Sequence, residues 1–263
     1  MRRLITGIGL LILAIYLVFL APQTVFVGAA LCMSLLCFRE FSTLVAAHSI
    51  PPPGVSGLLA GLAVLFSPSF AGFGLPLVLV LTVLMVIASV GALRNTNLRQ
   101  ILPQVACAVL AAFYTFAPWR FAVDLRGRSI HLLFFALALN WAGDTAAYYA
   151  GRLFGKRKLA PNVSPGKTWE GAIASIVGAV LFGVVYLHYF APALRWWKVA
   201  IIAVLGNIAG QLGDLVESAI KRGAGVKDSG TLLPGHGGML DRVDSSLFAL
   251  PVVYLLYLLF GYQ

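Results

Sequence analysis

The chain has 263 residues, 60% of them hydrophobic and 11% charged, with a mean hydropathy of +0.92. Apolar runs near bilayer length, such as GLPLVLVLTVLMVIASVGAL from Gly74, exclude a soluble domain, whose helices carry a polar face. The net charge of +10 does not argue for nucleic acid, because Lys and Arg accumulate on the cytoplasmic loops of membrane proteins and set their orientation.

Taken in order, the apolar segments fall at about 4–20, 24–47, 54–70, 73–93, 101–119, 130–151, 169–190, 198–220 and 244–262. The expected fold is therefore an all-α, polytopic membrane helical bundle of about nine spans. Its residues 1–129 form scaffold helices, and 130–263 form a catalytic region continuous with them. The opening MRRLITGIGLLILAIYLVFL looks like a signal peptide, but without a small-residue cleavage site it reads as a retained first helix. Segment 54–70, between PPPG and SPS, is the weakest and suits a re-entrant or tilted helix. With the N-terminus inside, the alternating loops place all Lys and Arg but Arg120, Arg126, Arg128, Arg195 and Lys198 on the cytoplasmic side. The stretch 120–129 reads as a loop and departs from this bias. Cys32, Cys37 and Cys107 show no metal or disulfide spacing and read as packing residues.

The acidic residues are unevenly placed. Seven of the nine, Asp144, Glu170, Asp214, Glu217, Asp228, Asp241 and Asp244, follow residue 140. Asp144 interrupts an apolar segment, with Asn140 one turn before it and Tyr148 one turn after it. A carboxylate there needs a partner, a metal or water. In GNIAGQLGDLVESAIKR, residues Asn207, Gln211, Asp214, Ser218 and Lys221 draw a polar stripe down one face, and Glu217 flanks it. Amides and hydroxyls in such a stripe can join helices, but two carboxylates followed by Lys221 and Arg222 exceed what joining requires.

Between these helices runs GKRKLAPNVSPGKTWEG, 155–171. A P-loop reading fails because Pro161 stands where glycine is needed and no strand is expected before it. What remains is a basic loop entering a helix. Gly166 frees the backbone, Thr168 can cap the helix, and Lys167 with the first amides can hold a phosphate. Lys156, Arg157 and Lys158 suit contact with membrane lipid headgroups.

Near the end, KDSGTLLPGHGGMLDRVDS folds a tight turn from Pro234, Gly235, Gly237 and Gly238 around His236, with Asp241 and Asp244 one turn apart at the start of the last helix. Carboxylates suit a hard cation such as Mg²⁺, and Lys221, Arg222, Lys227 and Arg242 supply the field that a polyphosphate needs.

From Ser218 to Ser245 the pattern S-x-x-K-R-x-x-x-x-K-D, five variable positions, then P-G-H-G-G-x-x-D-R-x-D resembles the signature of the phosphatidate cytidylyltransferase (CDP-diglyceride synthase) family. KLAPNVSPGKTWEG and GDLVES resemble upstream motifs of that family, so the resemblance spans about 140–245. It implies CTP and phosphatidate as substrates, CDP-diacylglycerol and pyrophosphate as products, and Mg²⁺ as cofactor, with room for a second cation. A homodimer is compatible with it, and the membrane is the bacterial cytoplasmic one with the site facing the cytoplasm.

On that resemblance Asp214 and Asp241 are expected as metal ligands at one site. Asp144, Glu217, Asp228 and Asp244 are further ligands or their partners. Lys167, Lys221, Arg222, Lys227 and Arg242 would grip the phosphates of CTP or the lipid. Ser164, Gly166, Thr168, Ser218, Gly237 and Gly238 would line the substrate cradle, and His236 would orient departing pyrophosphate. Two other readings stay open. One is a CTP-dependent lipid kinase of dolichol-kinase type, and the other is an ion-coupled transporter.

Overall fold

The computed structural model describes residues 2–67, 75–93, 97–233, 235 and 237–260. Among the described residues ten α-helices follow one another: α1 Arg2–Ile15, α2 Gln23–Ala47, α3 Gly54–Leu65, α4 Leu75–Ala92, α5 Ile101–Thr115, α6 Ala117–Arg128, α7 Ile130–Phe154, α8 Trp169–Phe190, α9 Trp196–Gly223 and α10 Leu240–Leu259. A hairpin of β1 Lys158–Ala160 and β2 Ser164–Thr168 joins α7 to α8. The all-α membrane architecture holds. Among the described residues, however, six helices are long and apolar enough to cross a membrane: α2, the continuous stretch Leu98–Arg128, α7, α8, α9 and α10. The expected nine spans are not established. Helix α3, with 12 residues, reaches about 18 Å at 1.5 Å per residue, short of a hydrocarbon core of about 30 Å.

The chain divides into two compact units, Met1–Asp124 with Gly223–Arg242, and Leu125–Arg222 with Val243–Gln263. In the first unit, Ala60 and Val64 of α3 meet Ala112 and Ala117 in a buried cluster, edged by Ile87, Phe113 and Phe121. Gly61 permits this approach, since a Cβ there would run into the Phe116 ring. The expected loop at 120–129 is instead α6. Trp119, Ala122 and Val123 are buried at the i, i+3, i+4 spacing of an amphipathic helix. Arg120 pairs with Asp124 across one turn at 2.5 Å, which lets two charges sit on a largely buried face.

In the second unit α7 and α8 pack through small residues. A Cβ on Gly178 would meet Ala146 and the Ala142 carbonyl, and one on Gly171 would meet the Ala147 carbonyl. Small side chains are what allow membrane helices to approach this closely. The hairpin pairs Lys158 with Thr168 and Ala160 with Ser164. Its entry is fixed by Glu170, whose carboxylate accepts from the backbone N–H of Lys156 at 3.1 Å and of Arg157 at 3.3 Å.

The Thr168 hydroxyl accepts from Gly171 N–H at 3.1 Å, which caps α8 as its sequence position suggested. Thr168→Val is expected to cost about 1 kcal/mol through loss of that cap, and Thr168→Ser should retain it. Thermal unfolding in detergent checks this, and an unchanged midpoint for the valine variant would contradict it.

Candidate active site

The polar stripe on α9 has two halves with different roles. In the deeper half, Asn207 Nδ2 donates to Asn140 Oδ1 at 3.4 Å, and Gln211 Nε2 donates to Asn207 Oδ1 at 2.8 Å and to the Ala172 carbonyl at 3.2 Å. These amides tie α9 to α7 and α8. A Cβ at Gly210 would collide with the Asn140 amide, and one at Gly143 would meet Asn207 Nδ2 and Ser175 Oγ. The glycines are therefore what bring the polar groups within hydrogen-bonding range.

The other half carries the charges. Lys167 Nζ lies 2.6 Å from Asp214 Oδ2, and the Ser218 hydroxyl donates to Asp214 Oδ1 at 3.3 Å. One turn on, Lys221 pairs with fully buried Glu217 at 2.5 Å. Asp144 on α7 lies in the field of Asp214 and Lys167. Asp244 on α10 lies in the field of Asp214, Lys221 and Lys167, and its Oδ1 accepts from Ser245 N–H at 2.7 Å. Gly213 gives α10 its close approach, because a Cβ there would press on the Asp244 carbonyl. Asp144, Asp214 and Asp244, from three helices, thus gather with Lys167 and Lys221 for compensation. Unbalanced charge of this kind within membrane helices is costly unless a further cation or a ligand completes it.

Beside the cluster lies a cavity of about 350 Å³ lined by, among others, Asp144, Tyr148, Arg152, Lys167, Thr168 and Ser175. Ser175 Oγ is buried and has no hydrogen-bond partner among the described residues. A buried hydroxyl with no partner is costly, so a polar guest or water suits this wall. Lys167 stands at the junction, on the cavity wall and paired to Asp214.

Several expected residues take places the sequence did not show. The Gly166-Lys167-Thr168 run lies within strand β2, Ser164–Thr168, and β1, Lys158–Ala160, comes before it. A P-loop still does not form, because these residues sit in extended hairpin backbone and not in a loop of convergent amides. The Thr168 hydroxyl is used by the helix cap. Gly166 is open, with nothing within 4 Å of a built Cβ. Arg222 Nε donates to the Val163 carbonyl at 3.4 Å, next to Ser164 on the hairpin.

In the first unit, Lys227 and Asp228 are exposed, as is Arg242. Gly237 has φ +76°, a conformation glycine adopts freely. Gly238 N–H donates to Asp241 Oδ2 at 2.8 Å. The same oxygen accepts from Ser229 N–H at 2.9 Å, and Ser229 Oγ lies 2.9 Å from it. His236 lies outside the described residues.

Sequence reasoning missed Ser229 and Glu40. Glu40 Oε1 accepts from Met239 N–H and Oε2 from Leu240 N–H, each at 2.8 Å, and the single Ser229 hydroxyl proton has both Glu40 Oε2 at 2.8 Å and Asp241 Oδ2 at 2.9 Å within reach, serving one at a time. The signal was present, because Glu40 is an acid inside the apolar segment 24–47, as Asp144 is inside its own segment.

Donor chemistry in the second unit suits a hard cation, since Asp144, Asp214 and Asp244 offer oxygen only. No three His, Cys, Asp or Glu side chains converge on a single metal position among the described residues. Lys167 occupies the Asp214 oxygen that such an ion would share.

The family described as the cytidylyltransferase family matches residues 1–260 of the chain. A phosphatidate cytidylyltransferase of Staphylococcus haemolyticus is 32% identical over 257 residues, covering 97% of each chain. One of Bacillus subtilis is 32% identical over 270 residues, covering 99% of this chain and 98% of its own. One of Staphylococcus aureus is 34% identical over 228 residues, covering 85% and 86%.

Proposed function

We propose that this chain, which belongs to the cytidylyltransferase family, transfers CMP from CTP to phosphatidate, giving CDP-diacylglycerol and pyrophosphate. The observation that carries the reading is the Asp144, Asp214 and Asp244 cluster with Lys167 at its junction to the cavity. In this reaction an anionic oxygen of phosphatidate forms a bond to the α-phosphorus of CTP. The bond from that phosphorus to the oxygen bridging toward the β-phosphorus breaks, and pyrophosphate leaves. The attacking oxygen is already ionised, so the protein needs alignment and charge neutralisation more than a base.

Lys167 and Arg152 line the cavity and suit phosphate oxygens. Lys221 is held by Glu217, which fixes its ammonium near Asp244. The Asn140–Asn207–Gln211 ladder keeps α7 and α9 in register beneath the charges. The outward faces stay apolar, with Ile173, Val177, Leu181 and Val185 of α8 exposed, so the acyl chains can remain in lipid while the headgroup reacts.

Asp144, Asp214 and Asp244 offer the oxygen donors that Mg²⁺ takes, but they would hold it only after converging further and after Lys167 leaves Asp214; when bound, the ion would neutralise charge on the reacting phosphates. Asp241 Oδ2 accepts from the Ser229 and Gly238 N–H groups and lies 2.9 Å from Ser229 Oγ, so that oxygen is engaged in holding the backbone.

Incubation of the purified protein with phosphatidate, Mg²⁺ and CTP labelled separately at the α and γ positions tests the reaction. The α label should enter lipid and the γ label should leave as pyrophosphate. A γ label in lipid with release of CDP would instead identify a lipid kinase, and no transfer of either label would favour a transporter.

The six apolar helices make the chain an integral membrane protein. The reading further puts the site on the cytoplasmic face of a bacterial inner membrane, because CTP is cytoplasmic and Lys156, Arg157 and Lys158 on the hairpin are exposed. A single cysteine at position 157, with Cys32, Cys37 and Cys107 replaced by serine, should resist an impermeant reagent in intact cells. Labelling from outside would reverse the orientation.

A further inference from the structure

Glu40 lies on α2, is 8% exposed, and directs both carboxylate oxygens at a segment that begins 189 residues later. Its donors are the Met239 and Leu240 N–H groups, at the first turn of α10, and the Ser229 hydroxyl. The four leading N–H groups of a helix lack partners within the helix, so a carboxylate there both satisfies donors and meets the positive end of the helix dipole. Ser229 links this arrangement to Asp241, because its Oγ is 2.8 Å from Glu40 Oε2 and 2.9 Å from Asp241 Oδ2. The surrounding backbone is cut to fit. A Cβ on Gly230 or on Gly238 would strike the Glu40 carboxylate. The serine and two of the glycines in the DSG…GG sequence therefore wrap a side chain that is distant in sequence.

We propose that Glu40 is a positioning residue for cytidylyl transfer: it holds Ser229, Gly230 and Gly238 and the first turn of α10 so that Asp241 and Arg242 are presented in one arrangement. The inference rests on the reading of the chain as a cytidylyltransferase, but concerns a residue whose carboxylate faces the backbone of Met239 and Leu240 and the Ser229 hydroxyl. Glu40→Gln is close in shape yet replaces one acceptor by an NH₂ group, which must face Met239 N–H or Leu240 N–H plus Ser229. Donors buried against a donor lose their bonds and remain desolvated.

The test compares wild type with Glu40→Gln, Glu40→Asp and Ser229→Ala in detergent. Glu40→Gln should lower kcat by roughly 30-fold or more, the order expected for buried donors left unmade, and should change KM for CTP much less. Glu40→Asp, which keeps the charge on a shorter arm, should recover part of the loss. Trypsin without metal or substrate supplies a second readout, since a loosened turn should be cut after Lys227 faster in Glu40→Gln than in wild type. The Glu40→Gln and Ser229→Ala losses should combine to less than their product, because Ser229 acts through the same cradle.

Turnover in Glu40→Gln within about threefold of wild type, or a lower unfolding midpoint with kcat per folded molecule unchanged, would overturn the proposal by reducing Glu40 to packing. If Glu40→Gln does not accumulate, Ser229→Ala and Glu40→Asp decide, and wild-type kcat with wild-type cutting at Lys227 in both overturns it. Absence of label transfer in the wild type itself would count against the reaction assignment and not against the cradle, whose loosening is still read by trypsin.

Discussion

Asp214→Asn is expected to lower turnover by at least about 100-fold in a protein that still inserts and folds, the magnitude typical of losing one charge-stabilising group from a reaction centre. The asparagine keeps the side-chain shape, and its carbonyl can still accept from Ser218, whose hydroxyl lies 3.3 Å from Asp214 Oδ1 in the parent. What disappears is the negative charge. That charge holds Lys167 at 2.6 Å and lies in the field acting on both Asp144 and Asp244. Lys167 would then lose its anchor on the cavity wall and Mg²⁺ would lose a ligand. Steady-state kinetics over a range of Mg²⁺, with a detergent melting curve as the folding control, measure the effect. A loss below about tenfold would remove Asp214 from the reaction centre.

Asp241→Asn should reduce turnover on a similar scale, roughly 100-fold, by a different route. Oδ2 accepts from Ser229 N–H and Gly238 N–H, and Ser229 Oγ lies within hydrogen-bonding distance of it. An amide can meet those donors only by turning its oxygen toward them, which puts NH₂ where the second carboxylate oxygen stood and removes the charge. The turn keeps its shape while any ligand function ends. The prediction is a loss of kcat at all Mg²⁺ concentrations with little added trypsin cutting after Lys227. Near-normal activity at limiting Mg²⁺ would assign Asp241 to holding the turn alone.

The parts of this molecule written in local patterns were readable from residues alone. The stripe of Asn207, Gln211, Asp214, Ser218 and Lys221 repeats at helical spacing, and Asp144 stands out in an apolar run. The Thr168 cap follows from position. Other parts depend on partners that no local spacing reveals. Glu40 reaches across 199 and 200 residues to the backbone N–H groups of Met239 and Leu240, which leave no side-chain signature.

The β hairpin was missed because Ser164-Pro165-Gly166-Lys167-Thr168 contains a single β-branched residue. Its entry is set by Glu170, which grips Lys156 and Arg157 from the next helix. Helix α6 was hidden by its arginines, although Trp119, Ala122 and Val123 carried its buried face. The span count is not legible from hydropathy alone, because α3 is apolar yet, at 12 residues, shorter than a crossing helix.

The central claim is that Asp144 and Asp214, on different helices, act on one reaction centre. The rate against Mg²⁺ concentration for Asp144→Asn, Asp214→Asn and the double variant tests it most directly. Groups that work as a unit are strongly non-additive, so the double variant should be about as impaired as the worse single one, with no further shift in Mg²⁺ dependence. A double variant whose loss equals the product of the two single losses would mean that the aspartates serve separate sites, and would contradict a shared reaction centre.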